Sequence, residues 1–143
     1  HVEEQLMIEY MFVYGTLLRG FINHHLIKPF AVEIVPAATP GELFHLQYGY
    51  PALVLNNAAQ WVSGEAVKVS DLARALAILD DLEGYHGVGH PDNLYNREVC
   101  KIRLADGTER DSYVYVWAHP DRLPAIGLPV TGGSWKQFMG ERT

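Results

Sequence analysis

Residues 12–20 read Phe-Val-Tyr-Gly-Thr-Leu-Leu-Arg-Gly, "FVYGTLLRG", an apolar and aromatic run that passes abruptly into glycine and hydroxyl chemistry. Just upstream, Ile8, Tyr10, Phe12 and Tyr14 alternate, which predicts a strand over 7–14 with those four on one face. The loop at 15–20 then has two readings. In one it is an ordinary turn in which the Thr16 hydroxyl bonds its own backbone. In the other, Gly15 lets a ligand approach the main chain. The successive N–H groups of Gly15, Thr16 and Leu17 then form a concave donor array for a carboxylate or a developing oxyanion. Asn23 is placed to brace this loop through its amide, and is a candidate N-cap for a short helix at "NHHLI", residues 23–27.

Working outward, short strands are predicted at 31–35, 41–46, 52–55 and 61–69, punctuated by Pro36, Pro40, Tyr48-Gly49, Pro51 and Asn56-Asn57. One helix follows, capped by Ser70 or Asp71, with Leu72, Ala75, Leu76 and Leu79 at helical spacing and Gly84 placed to end it. Residues 97–104 and 109–118 alternate on either side of Ala105-Asp106-Gly107-Thr108, a hairpin signal. From His119 the tail is rich in proline and glycine until a short terminal helix at Ser134-Trp135. Many short strands with one main helix predict an α+β fold with a curved or barrel-like sheet, and 143 residues suit a single domain over 1–143.

Composition narrows the function classes. With 48% hydrophobic and 20% charged residues the chain is globular. A net charge of −6 argues against a nucleic-acid partner, which demands a basic surface. No apolar run approaches the roughly 18 residues of a membrane span. The opening "HVEEQLMIEY" lacks the basic start and apolar core of a signal peptide. Cys100 is the single cysteine and needs no oxidising compartment. The expectation is a cytoplasmic protein, with His1 marking an added residue or the edge of a fragment.

The helix carries a carboxylate in an unusual place. At about 100° per residue, Asp81 falls on the face opposite the Leu72–Leu79 stripe and Asp80 toward its edge, but Glu83 returns near its centre. A carboxylate pointing where core leucines point demands a polar site, a cavity, or a retained proton. The negative end of the helix dipole and the charges of Asp80 and Asp81 are expected to add to the rise in its pKa. That is the property of a general acid or base working near neutral pH. The other reading is that the helix frays at Leu82 and Glu83 turns out to water.

Taken together, "FVYGTLLRG…NHHL", "VSGEAVKVS", "LDDLEGY", "YNREV" and "SYVYVW" resemble the γ-glutamyl cyclotransferase, or AIG2-like, superfamily in order and spacing over nearly the whole chain. "YGTLLRG…NH" is most similar to the γ-glutamylamine cyclotransferase branch. The resemblance implies a small, mixed, barrel-like sheet flanked by a few helices, with the substrate pocket at one mouth. It implies that Tyr14, Gly15, Thr16 and Leu17 bind the glutamyl group through the backbone and that Glu83 is the acid–base catalyst. It further implies that Tyr115 offers a hydroxyl to the substrate and that Tyr95 and Arg97 position Glu83 or substrate.

The implied reaction is internal aminolysis, in which a γ-glutamyl α-amine attacks its own γ-carbonyl and releases 5-oxoproline and an amine or amino acid. Nucleophile and electrophile sit on one molecule, so no cofactor and no metal is called for, and the expected partner is a small-molecule γ-glutamyl substrate. Loops 45–51 and 86–96 are expected to recognise the leaving amine. A metal hydrolase built on Asp80, Asp81, Glu83, His86 and His90 is disfavoured, because two glycines and Pro91 break the helical spacing of a histidine pair. Cys100 alternates with Ile102 and Leu104 and is expected to face a core. The rival reading is a binding module on the same fold, sensing a γ-glutamyl or small carboxylate ligand without turnover.

Overall fold

The strand that leads into "YGTL" lies at the centre of the molecule. The computed structural model describes residues 8–57 and 60–141, so Met7, the predicted first residue of that strand, lies outside the described residues. The strand β1 (Tyr10–Val13) is shorter than its alternation suggests, and both its faces are buried. Met11 and Val13 join a core that includes Leu46, Val67, Leu79 and Trp117, while Phe12 and Tyr14 join a second with Val62, Ala66, Ile102 and Val114. A strand buried on both sides shows no polar alternation, because neither face meets water.

A four-residue helix, α1 (His24–Ile27), and a 3-10 turn at Lys28–Phe30 lead into β2 (Ala31–Leu46). Here the sequence reading is corrected: one 16-residue strand replaces the two expected at 31–35 and 41–46. Proline fixes an extended-compatible φ and removes a donor, so it fits a strand wherever no ladder bond is required. Pro40 therefore marks where β2 changes partners, while Pro36 stands opposite Glu65 within one ladder. Residues through Pro40 pair with β4 (Trp61–Val69), and from Gly41 onward β2 pairs with β3 (Pro51–Leu55).

After β4 comes the helix α2 (Leu72–Glu83), whose Ala75 and Leu79 are buried. Its predicted caps are corrected. Asp71 sits at the N-cap position with a left-handed φ of 47° and makes no side-chain capping bond, and the Ser70 hydroxyl donates to the Phe30 carbonyl instead. Strands β5 (Tyr95–Leu104) and β6 (Glu109–Trp117) form the expected hairpin, in which Asp106 Oδ1 accepts from the N–H and hydroxyl of Thr108.

The strands run in the order β3-β2-β4-β1-β6-β5, and Ala37 and Ala38 of β2 also pair with Leu104 and Arg103 of β5. That last pairing closes β2, β4, β1, β6 and β5 into a barrel, in which β1 and β6 are the parallel pair. The architecture is thus the expected mixed α+β barrel. The tail is more regular than its composition suggests: a 3-10 turn at Pro120–Arg122, α3 (Leu123–Ile126), β7 (Gly127–Pro129) pairing with the end of β2, and α4 (Trp135–Glu141). No helix among the described residues is long and apolar enough to cross a membrane.

The end of α2 is set by Gly84, at φ 65°, whose N–H reaches the carbonyls of Asp80 and Asp81. A Cβ there would also lie 3.1 Å from Leu94 Cβ. Gly84→Ala is expected to cost about 1–2 kcal/mol, measured as a lower urea midpoint at unchanged m-value.

Candidate active site

The final turn of α2 brings Glu83 to the wall of a cavity of about 270 Å³, near the lower end of the roughly 300–1,000 Å³ usual for small-molecule sites. Gly84 closes the turn, Tyr85 N–H bonds the Asp80 carbonyl at 2.9 Å, and Leu94 N–H bonds the Gly84 carbonyl at 3.0 Å. The helix therefore does not fray before Glu83. Its carboxylate makes no hydrogen bond or ion pair with any described residue, and burial pushes its pKa up to about 7. Desolvation accounts for that rise. The expected contribution of Asp80 and Asp81 is corrected: Arg97 pairs with Asp80, and Asp81 is exposed.

The loop after β1 lines the same cavity. Gly15, Thr16 and Leu17 line the cavity, and their N–H groups find no acceptor among the described residues. Packing gives a further reason for glycine at 15. Its φ is ordinary, but a Cβ would stand 2.5 Å from Pro51 Cγ, so the need is for close approach. Leu18 N–H returns to the Gly15 carbonyl at 3.0 Å and Asn23 N–H to the Thr16 carbonyl at 2.9 Å, which curls the loop back on itself. Asn23 occupies the N-cap position of α1 without capping it. Its side-chain N–H instead donates to Thr16 Oγ1 at 3.0 Å, so the amide braces the loop.

Four phenols also line the cavity, those of Tyr14, Tyr50, Tyr95 and Tyr115. Tyr14 donates to the Tyr115 carbonyl at 2.7 Å and Tyr95 to the Pro51 carbonyl at 2.5 Å. Tyr115 was expected to offer its hydroxyl proton to substrate, but that proton goes to Asp80 Oδ1 at 2.6 Å. Arg97 does not line the cavity. It holds Asp80 Oδ2 and lies over the rings of Tyr85 and Tyr113 at 5.2 and 5.5 Å. Tyr14, Gly15, Thr16, Leu17, Asn23, Glu83, Tyr95 and Tyr115 thus share one cavity, with Arg97 standing behind Asp80.

Sequence reasoning missed Asp80 as a partner of Tyr115; Tyr50 and Pro51, which line the cavity, fall within the loop 45–51 expected to meet the leaving amine, though neither was singled out. Asp80 precedes Glu83 by three positions, a spacing that puts the two on neighbouring parts of one helix face, so that signal was present. Nothing marked Tyr50 individually within that loop, because it joins the wall only through the turn between β2 and β3.

Among the described residues no group of three or more His, Cys, Asp or Glu side chains is arranged to hold a metal ion. Cys100 is buried, and desolvation pushes its thiol up to about 11, which leaves it protonated near neutral pH.

The family model for γ-glutamyl cyclotransferase, AIG2-like, matches residues 11–137. The sequence is 35% identical over 128 residues to the γ-L-glutamyl-butirosin B γ-glutamyl cyclotransferase of Niallia circulans, covering 90% of this chain and 76% of that one. Among solved structures, an AIG2-like protein of Mus musculus shares the fold with a TM-score of 0.66 at 23% identity, over 90% of this chain and 88% of that one. YkqA of Bacillus subtilis gives a TM-score of 0.69 at 24% identity over 96% of this chain, which spans only 44% of that protein. With the barrel, the loop and the glutamate at one cavity and the family pattern matched almost end to end, the chain belongs to the γ-glutamyl cyclotransferase, AIG2-like family.

Proposed function

We propose that this protein is a cofactor-independent γ-glutamyl cyclotransferase that releases 5-oxoproline and an amine, with Glu83 as its acid–base. The observation that carries the reading is an unpaired, desolvated carboxylate sharing one small cavity with three uncommitted backbone N–H groups. The N–H groups hold the carboxylate and carbonyl oxygens of the γ-glutamyl group and fold it toward ring closure. Glu83 takes a proton from the α-ammonium, and the freed amine attacks the γ-carbonyl carbon. Collapse of the tetrahedral intermediate breaks the bond to the departing nitrogen, which receives the proton from Glu83. Two protons leave the attacking nitrogen and two reach the departing amine, so the enzyme ends as it began.

The lining also bears on the leaving group. Among the described residues no Lys, Arg or His lines the cavity, so they offer no cation for the carboxylate of a departing amino acid. Tyr50 lines it instead, with the exposed Tyr48 stacked behind at 5.8 Å. A γ-glutamylated amine, neutral or cationic beyond the scissile bond, suits that wall.

The deciding experiment measures 5-oxoproline release from a panel of γ-glutamyl-amines and γ-glutamyl-amino acids. Wild type is expected to turn over the amines, and Glu83→Gln to lose at least about 10²-fold in kcat while still binding 5-oxoproline. Undiminished turnover by the variant would remove Glu83 from the chemistry. Ligand binding without any turnover would favour a sensor on this fold.

Because Glu83 must be ionised to accept a proton, kcat/KM is expected to rise with pH through about 7 and then level off. Stability should move the opposite way. A carboxyl whose folded-state pKa lies above its unfolded value binds more protons when folded, so the fold weakens as pH climbs from about 4.5 to about 7. Glu83→Gln removes that penalty, and at pH 8 its unfolding free energy is expected to exceed that of wild type by up to about 3 kcal/mol in urea titrations.

A further inference from the structure

Tyr115 is one of four phenols, with Tyr14, Tyr50 and Tyr95, that share the cavity with the candidate catalyst. The Tyr115 hydroxyl donates to Asp80 Oδ1 at 2.6 Å and lies close enough to Glu83 to feel that charge. A phenol has one proton, so once it is directed at Asp80 only oxygen lone pairs remain for the cavity. The direction is fixed from behind. An ion-paired carboxylate can only accept, and Asp80 Oδ2 is held by Arg97, which lies over the rings of Tyr85 and Tyr113. Tyr14 and Tyr95 likewise give their protons to the carbonyls of Tyr115 and Pro51. Three of the four cavity phenols thus have their protons taken inside the protein and offer lone pairs, Tyr50 makes no such bond among the described residues, and the N–H donors of Gly15, Thr16 and Leu17 line the same cavity.

We propose that Asp80 is a positioning residue that fixes Tyr115 as a hydrogen-bond acceptor, and that the Tyr115 oxygen receives an N–H of the substrate's α-amino group, holding the attacking nitrogen beside Glu83. This rests on the γ-glutamyl reading above. The α-ammonium presents only donors, so it matches a site whose phenol and carboxylate both accept. A phenol free to rotate would be able to present its proton to the same nitrogen and hold it in no single place.

Two ring compounds test the polarity without turnover. In 5-oxoproline the ring nitrogen is the former α-nitrogen and carries an N–H. In 5-oxotetrahydrofuran-2-carboxylate a ring oxygen replaces that N–H, while the carboxylate and carbonyl are unchanged. Calorimetric titration of wild type is expected to show the lactam binding about tenfold or more tighter than the lactone. Tyr115→Phe, which keeps the ring and its packing, should bring the two within about threefold of each other.

Asp80→Asn should invert the preference. Arg97 keeps the amide oxygen, so the amide N–H₂ faces Tyr115 and turns the phenol proton into the cavity. An Asp80 that only stabilised the fold would lower the melting temperature and weaken both rings alike, leaving their ratio untouched. An unchanged ratio in Asp80→Asn, or in Tyr115→Phe should the first variant not fold, overturns the proposal. Equal binding of both rings by wild type overturns this assignment alone. Binding of neither overturns it together with the γ-glutamyl reading.

Discussion

The ion pair between Asp80 and Arg97, with Tyr115 on the other carboxylate oxygen, ties the last turn of α2 to the β5–β6 hairpin. A helix C-terminus left to itself frays, because its final carbonyls have no partners within the helix. Here the terminal carbonyls are taken by Gly84 and Tyr85, and the side chain one turn back is anchored to two strands of the barrel. Glu83 lies between those two restraints. Its position relative to the loop after β1 therefore follows from contacts that link residues 35 and 17 positions apart in the chain.

Two carboxylates three residues apart on one helix meet opposite fates. Asp80 is hydrogen-bonded and ion-paired, which offsets what its burial costs. Glu83 has burial without a partner, and its proton is held to about neutral pH. A chain selected only for stability would pair or replace it. A buried acid with no counter-charge, aimed at a cavity, is the arrangement that proton transfer uses and that structural ion pairs do not.

The loop after β1 depends on a different contact. Pro51, at the start of β3, presses on Gly15 so closely that no Cβ fits between them, and Tyr95 from β5 bonds the Pro51 carbonyl. The loop is thereby fixed by strands from the far side of the sheet, with Asn23 bracing it from within. The curl of the loop uses its carbonyls, and the N–H groups of Gly15, Thr16 and Leu17 find no acceptor among the described residues. Family membership accords with this plan, and among the described residues the lining near Tyr50 is aromatic and holds no Lys, Arg or His.

Much of the local structure was legible in the sequence. The spacing of Leu72, Ala75 and Leu79 with Gly84 after them marked both ends of α2 to within a residue, and the same count put Glu83 on the inward face. Asp106-Gly107 marked the β5–β6 hairpin, and the passage from Tyr14 into Gly15 marked the end of β1. These features arise from neighbours a few positions apart, where backbone sterics and hydrophobic periodicity act directly. What the sequence could not show is settled by partners distant along the chain. The single long β2 runs through Pro36 and Pro40 because of what it pairs with, and the barrel closes at Ala37 and Leu104. Gly15 is glycine because of Pro51, and the Tyr115 proton points away from the cavity because Asp80 and Arg97 stand behind it. The sequence singled out most of the candidate residues that the cavity brings together. Tertiary structure alone decided which of them stay unpaired and which way their hydrogen bonds run, because donor and acceptor directions depend on neighbours that only the folded chain brings together.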